Sequence, residues 1–371
     1  MEDHLLFKLK FPICAAHAGG GNLFPPNTMD AYQFSVYELK LPILEFDVRN
    51  TKDGKLVCYH DAFLSAKTNG RGLVSKSNWN EIEKLDAGYN FSPDKGKTFP
   101  WRGKGLKIPL LKQVLDEFVP IENLILFFDL KKQCVVKQVI EWIKEYGLEK
   151  RCIVGAILPE INKKILLYKT PEIMSSADFV TMGNIMTAWV SKRTIQVPQK
   201  IVGFWVSKTI DWGIKKEFID RLKKDGKLIA VFGPATEEEQ TIKKYIDLGI
   251  DLIFSDRPDQ VLYTRCIYKE SFKNEIECPK SIMEWAALKG YYSIIKWLHD
   301  RGRPKTEKED QCTVSAMDFA AKSGYLDIIK YLYQHNHISC SEKGLEWAKE
   351  NGHTDVVLWL ERNVFSSTFG Q

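Results

Sequence analysis

The sequence predicts two domains of different class: an α/β domain over residues 1–264 and an all-α repeat domain over residues 279–364. Three observations predict this. Short apolar runs alternate with amphipathic segments about eight times between residues 11 and 260. The alternation stops after residue 264, and beyond it one helix, glycine turn, helix unit recurs three times. Strand-then-helix repeated about eight times over roughly 250 residues is the pattern of a (β/α)8 barrel. A doubly wound open sheet would show the same alternation, so periodicity alone leaves both architectures open.

In chain order the strand candidates are "FPICAAH", "PILEFDVR", "KLVCYH", "NLILFFDLK", "CIVGAIL", "DFVTMG", "IVGFWVS", "LIAVFG" and "DLIFSD". Each is a short run rich in β-branched and aromatic residues. Helical spacing of apolar residues appears in "MDAYQFSVYELK", "CVVKQVIEWIKEYG", "KKEFIDRLKKDG" and "EEEQTIKKYIDLG". Residues 62–109 break the rhythm, being polar and rich in Gly and Lys with one short helical piece, "SNWNEIEKL". They read as an insertion over one end of the barrel, and long connections of this kind are often functional.

The three repeat units are "MEWAALKGYYSIIKWL" from Met283, "MDFAAKSGYLDIIKYL" from Met317 and "LEWAKENGHTDVVLWL" from Leu345. Gly290, Gly324 and Gly352 hold equivalent places, 34 and then 28 residues apart. One helix pair cannot bury its apolar face alone, so the copies must stack. The units resemble ankyrin repeats in a divergent form that lacks the usual Thr-Pro-Leu-His opening. Similar repeats are familiar in ankyrin-rich proteins of large amoeba-infecting DNA viruses. The resemblance implies a protein partner, with a stabilising role for the barrel as the alternative. The charged stretch "RPKTEKED" reads as a solvated linker between repeats.

Composition narrows the function class. At 44% hydrophobic and 27% charged residues the chain has a globular rather than a disordered makeup. A net charge of +5 without a sustained Lys/Arg stripe argues against a nucleic-acid partner. No apolar run reaches the ~18 residues needed to span a bilayer, and "MEDHLLFKLKFPIC" makes a poor signal peptide. Cys14, Cys58 and Cys152 lie inside apolar runs and no CxxC pair occurs, so buried reduced thiols and a cytoplasmic, reducing setting are expected.

Ionisable residues gather where the strand candidates end. His17 ends the first; Glu45 and Asp47, two apart, share one face of the second; His60 ends "KLVCYH"; Asp129 and Lys131, again two apart, end "NLILFFDLK". Side chains from different strands converge at the C-terminal rim of a barrel. Three carboxylates offer an oxygen-rich site for one hard divalent cation, Mg2+ or Ca2+. Two histidines offer a general acid and base near neutral pH, and Lys131 could neutralise an anion. Metal, lysine and a histidine pair suit transfer at a phosphodiester. Taken singly, His17 could be satisfied by local hydrogen bonds, and Asp129 with Lys131 could be a plain ion pair. Trp205 and Phe232 read as barrel packing.

"HAGGGNLFPPNT", "EFDV", "TKDGKLVCYHD", "FFDLK" and "GIDLIFSDRPD" resemble, in order, the signatures of the glycerophosphodiester phosphodiesterase family. That family's pattern runs His-Arg-Gly, Pro-Glu-Asn-Thr, Glu-x-Asp-Val, Thr-x-Asp-Gly, His-Asp, Glu-x-Lys and Thr-Asp-Arg-Pro, and the likeness covers residues 13–259. It implies the TIM barrel that periodicity left open. It also implies His17 and His60 as the acid/base pair, Glu45, Asp47 and Asp129 as metal ligands, and Lys131 as the phosphate contact. The implied reaction is metal-dependent hydrolysis of a glycerophosphodiester to sn-glycerol 3-phosphate and an alcohol, by way of a cyclic phosphate. A lysophospholipase D acting on lysophospholipids is the variant reading.

Three departures from the pattern matter: Ala18 replaces its arginine, Pro26 its glutamate, and Asp129 the longer Glu ligand. A lost charge-assisted phosphate contact costs about 1.5–3 kcal/mol of binding. Arg49, on the Asp47 face, is the candidate replacement. The departures also motivate a rival reading: a weakened barrel kept as a scaffold, with the repeats binding a protein partner.

Overall fold

A computed structural model describes residues 3–93, 96–193, 197–207, 209, 214–268, 282–300, 311–335 and 340–365. The chain divides into two compact units, residues 1–264 and 265–371.

The first unit is a barrel of eight parallel strands. These are β1 (Ile13–Ala16), β2 (Ile43–Asn50), β4 (Ile125–Leu130), β5 (Cys152–Gly155), β6 (Met174–Ser175), β7 (Ile201–Trp205), β8 (Leu228–Phe232) and β9 (Leu252–Ser255), with β3 (Leu56–Cys58) antiparallel to β2 at its edge. Their spatial order is β6-β5-β4-β2-β1-β9-β8-β7. A parallel bridge between Ser176 and Ile201 brings the two ends of that sheet together. An open doubly wound sheet is thereby excluded.

Strand parity explains both the core and the site. Ile13, Ala15, Ile43, Ile125, Ile153, Ile201 and Leu252 point inward and fill the barrel's floor together with Leu6. Their alternates, including Leu44, Phe46, Leu126 and Phe128, point outward under the helices. The inward face turns polar two residues on from Ile43, at Glu45, and four on from Ile125, past Phe127, and in the β2–β4 register Asp47 stands beside Asp129.

The outer helices follow their apolar spacing. The helix Val136–Glu145 buries Val136, Val139, Ile140 and Ile143, and Lys216–Lys224 buries Phe218, Ile219 and Leu222. Glu239–Leu248 ends at Gly249, whose φ of 83° gives the left-handed cap that glycine accepts freely. The helix expected from Met29 is regular to Gln33 and then widens into a π-turn over Phe34–Glu38.

Two expected strands differ. "DFVTMG" begins a helix, Phe179–Val190, because the Asp178 carboxylate accepts from Thr181 N and caps it. The barrel strand at that place is the two-residue β6. "KLVCYH" contributes β3, which lies outside the eight staves. Within residues 62–109, Leu64, Val74, Ile82, Leu106 and Ile108 form a small core together with Val57 and Tyr59. Its expected helix is one turn, Trp79–Ile82.

In the second unit Ile282–Lys289, Gln311–Ser323 and Glu342–Glu350 pack side by side, each followed by a partner helix, Tyr292–Asp300, Leu326–Gln334 or Thr354–Asn363. Small residues at the centre, Ala286, Ala287, Ala320, Ala321 and Ala348, allow the close stacking. Gly290, Gly324 and Gly352 make the turns at φ of 79°, 80° and 75°. "RPKTEKED" lies outside the described residues. Among the described residues no helix is long and apolar enough to cross a membrane. Cys14, Cys58, Cys134, Cys152 and Cys340 are free thiols, and of these only Cys134 is exposed.

Candidate active site

The parallel register of β1 and β9 pairs Ile13 with Leu252, Ala15 with Phe254 and Ala16 with Ser255. The next inward pair is His17 and Asp256, and His17 Nδ1 lies 2.7 Å from Asp256 Oδ1. Burial opposes a charge on His17, yet the Asp256 carboxylate, with Glu45 and Asp47 behind it, overcomes that and raises its pKa to about 10. Its side chain is 37% exposed, so water tempers the magnitude and leaves the direction.

After His17 the chain reverses through left-handed residues, Ala18 at φ 48°, Gly19 at 79° and Gly20 at 88°. A Cβ on Gly19 would meet Tyr32 at 2.8 Å, so only glycine fits there. The turn aims Ala18 N at Glu45, donating to Oε2 at 2.5 Å. Ala18 itself is buried and brings no charge. Arg49 does not replace the missing arginine: its Nε and Nη2 donate to the His60 carbonyl at 2.8 and 2.6 Å. The guanidinium thereby anchors the backbone that carries the second histidine. The His60 ring is half exposed, with Nδ1 3.4 Å from Asp61 Oδ1.

Glu45, Asp47 and Asp129 each place an oxygen within 4.8 Å of the others'. Glu45 and Asp47 are fully buried. Burial, then the charge of Asp47, pushes Glu45 up to about 8. Burial also works against the Asp47 charge, but Lys131 and the two histidines hold its carboxyl below the usual range. Lys131 Nζ lies 2.8 Å from Asp47 Oδ1 and 2.6 Å from Asp129 Oδ2.

These residues fit a divalent cation. Asp129 Oδ1 is buried without a hydrogen-bond partner, and Asp47 Oδ1 has the Lys131 ion pair but no well-angled hydrogen bond. Three crowded carboxylates against one lysine leave negative charge that a hard cation would neutralise.

Asn27, in the motif around Pro26, holds Asp47 from behind. Its Nδ2 donates to Asp47 Oδ2 at 2.7 Å, while its Oδ1 accepts from Asp47 N at 3.0 Å and from Tyr32 OH at 2.8 Å. Thr28 caps the Met29–Gln33 helix through Ala31 N, which fixes Asn27 in place. Both Asn27 and Asp256 stand inside quoted motifs, but neither was singled out as a candidate. Inward parity after Leu252 and Phe254 is the signal that marks Asp256.

His17, Glu45, His60, Asp129 and Lys131 meet at one end of a cavity of about 350 Å3, with Asp47 beneath them. The other end is apolar, walled by Ile157, Met182, Trp205 and Phe232. Trp205 and Phe232 are therefore more than packing. Phe232 rests on the barrel core, but both are last residues of paired inward strands and open onto the cavity.

Comparison with known proteins agrees with this geometry. Residues 17–260 match the model of the glycerophosphoryl diester phosphodiesterase family, and residues 283–365 match a model of three ankyrin repeats. A glycerophosphodiester phosphodiesterase of Bacillus altitudinis is 29% identical over 255 residues, 67% of this chain and 96% of that one. A lysophospholipase D of Mus musculus is 24% identical over 274 residues, 66% and 83% of the two chains. The glycerophosphoryl diester phosphodiesterase domain of a Mycobacterium tuberculosis protein superposes with a TM-score of 0.59 at 21% identity, covering 70% of this chain and all of that one. An Oleispira antarctica phosphodiesterase, solved with the product sn-glycerol-3-phosphate, gives 0.51 at 20% identity, covering 68% and 96%. On the match that spans most of its barrel, the chain belongs to the glycerophosphoryl diester phosphodiesterase family and is a phosphoric diester hydrolase.

Proposed function

We propose that residues 1–264 hydrolyse glycerophosphodiesters to sn-glycerol 3-phosphate and an alcohol, and that residues 279–364 form the repeat module and bind a protein partner. The observation that carries the enzymatic reading is the meeting of two histidines, Glu45, Asp129 and a lysine in one cavity, with the Asp47 carboxylate grouped with those of Glu45 and Asp129. The named relatives support it.

Glu45, Asp47 and Asp129 would hold one divalent cation, Mg2+ or Ca2+, which when bound supplies charge neutralisation at the phosphate. The glycerol hydroxyl of the substrate attacks phosphorus while His60 takes its proton. His17, kept cationic by Asp256, gives a proton to the departing alcohol. Water then opens the cyclic phosphate with the two histidines exchanging roles. Lys131 meets the phosphate oxygens that Ala18 leaves without an arginine, since the N–H groups of Ala18, Gly20 and Gly21 already donate to Glu45 and to the His17 carbonyl.

The test is release of sn-glycerol 3-phosphate from glycerophosphocholine with Mg2+ or Ca2+, beside His17→Ala and His60→Ala. Turnover that needs the cation and is lost in both variants is the expected result. Silence of the folded wild type on this and on a lysophospholipid panel would favour the scaffold reading.

A further inference from the structure

The apolar end of the cavity does not stop at its mouth. Ile157, which walls the cavity, is itself 48% exposed, and beside it stand Leu158 at 45%, Phe179 at 53% and Val180 at 52%. Phe179 N donates to Ile157 O at 3.1 Å, so the loops after β5 and β6 form one surface. Single exposed apolar residues are ordinary, but four together, continuous with an apolar cavity wall, mark an interaction site. The alcohol of a water-soluble glycerophosphodiester is small and polar and has no use for a wall of Ile157, Met182, Trp205 and Phe232.

We propose that this rim docks the barrel on a phospholipid surface and sets the mouth of the cavity against it. The proposal rests on the phosphodiester reading for the polar end. The geometry that favours a lipid over a protein is the continuity itself: the patch leads into a pocket that ends at phosphate-binding groups. An apolar ligand chain entering there reaches the reacting atoms without crossing water.

The experiment uses the full chain and sediments it with phosphatidylcholine vesicles containing lysophosphatidylcholine. Wild type is expected to co-sediment. A Leu158→Ser, Phe179→Ser, Val180→Ser triple variant is expected to lose vesicle partition by about tenfold or more. Its turnover of soluble glycerophosphocholine should stay within about twofold of wild type, since none of the three lines the cavity. Leu167→Ser, at a residue 74% exposed near the far end of the Pro159–Tyr168 helix that Leu158 precedes, is the control and should change neither. Failure of wild type to bind vesicles, or a triple variant that binds like wild type, overturns the docking surface. Vesicle binding without turnover of any phosphodiester would support the docking surface and count against the catalytic reading.

Discussion

The ammonium of Lys131 stands 2.8 Å from Oδ1 of Asp47, on an oxygen that the proposed cation would use. It also reaches Asp129 Oδ2 at 2.6 Å, so one side chain holds two of the three carboxylates together. Lysine and cation repel each other at this range, and cation loading frees the ammonium for the phosphate. Lys131→Met should therefore tighten Mg2+ or Ca2+ binding in substrate-free protein by about tenfold, while kcat/KM falls by roughly 10- to 100-fold. Calorimetric titration beside steady-state kinetics reads both. Weaker cation binding in the variant would show that Lys131 supports the site instead of competing for it.

His17 depends on Asp256 in a way that pH exposes. A proton donor works only while protonated, and Asp256 raises the pKa of His17 against the effect of burial. Asp256→Asn keeps an acceptor but removes the charge, so the His17 pKa falls. The alkaline limb of the pH–rate profile should move down by roughly 1–2 units. Asp256→Glu should restore part of the limb. A lower rate with an unmoved limb would leave Asp256 a structural contact only.

What could be read from the chain alone follows from parity. Glu45 with Asp47, and Asp129 with Lys131, sit two apart at strand ends, and that spacing places each pair on one face wherever the strand lies. The pairing of His17 with Asp256 needs more, because it joins the first strand to the last and exists only once the barrel has closed. Asn27 is equally non-local: its left-handed turn, φ 58°, brings it under Asp47, twenty residues away. Arg49 shares the inward face of Asp47, but the antiparallel return of β3 supplies the carbonyl that captures it. "DFVTMG" looks like a strand by composition, and the Asp178 cap decided for helix. A two-residue stave such as β6 has too few side chains to show any period.

The raised pKa of Glu45 couples cation binding to protons. Burial, then the neighbouring Asp47 charge, lifts it to about 8, so at neutral pH the cation-free site holds a proton that binding must expel. Apparent affinity should rise with pH up to about 8 and level off above it, changing about tenfold per unit below that point. Calorimetry in two buffers of different ionisation heat should count about one proton released. Affinity that stays flat between about pH 6 and 8 would contradict the protonated Glu45.

The repeat glycines are not equivalent, and stability should separate them. At Gly324, φ 80°, a Cβ would stand 2.5 Å from His353 Nδ1, the ring whose Nε2 lies 3.1 Å from the Lys322 carbonyl. At Gly352, φ 75°, a Cβ would meet nothing within 4 Å. Gly352→Ala therefore carries only the left-handed backbone cost, about 1 kcal/mol. Gly324→Ala adds displacement of the imidazole that ties the second repeat to the third, for a total of about 2–3 kcal/mol. Chemical denaturation of the full chain, followed by the tryptophans of the repeats, should show the larger loss for Gly324→Ala with barrel activity retained. His353→Ala in the Gly324→Ala background removes the obstacle, so the second substitution should cost less there than in wild type. Equal losses at the two glycines would mean that His353 moves aside freely and does not tie the repeats together.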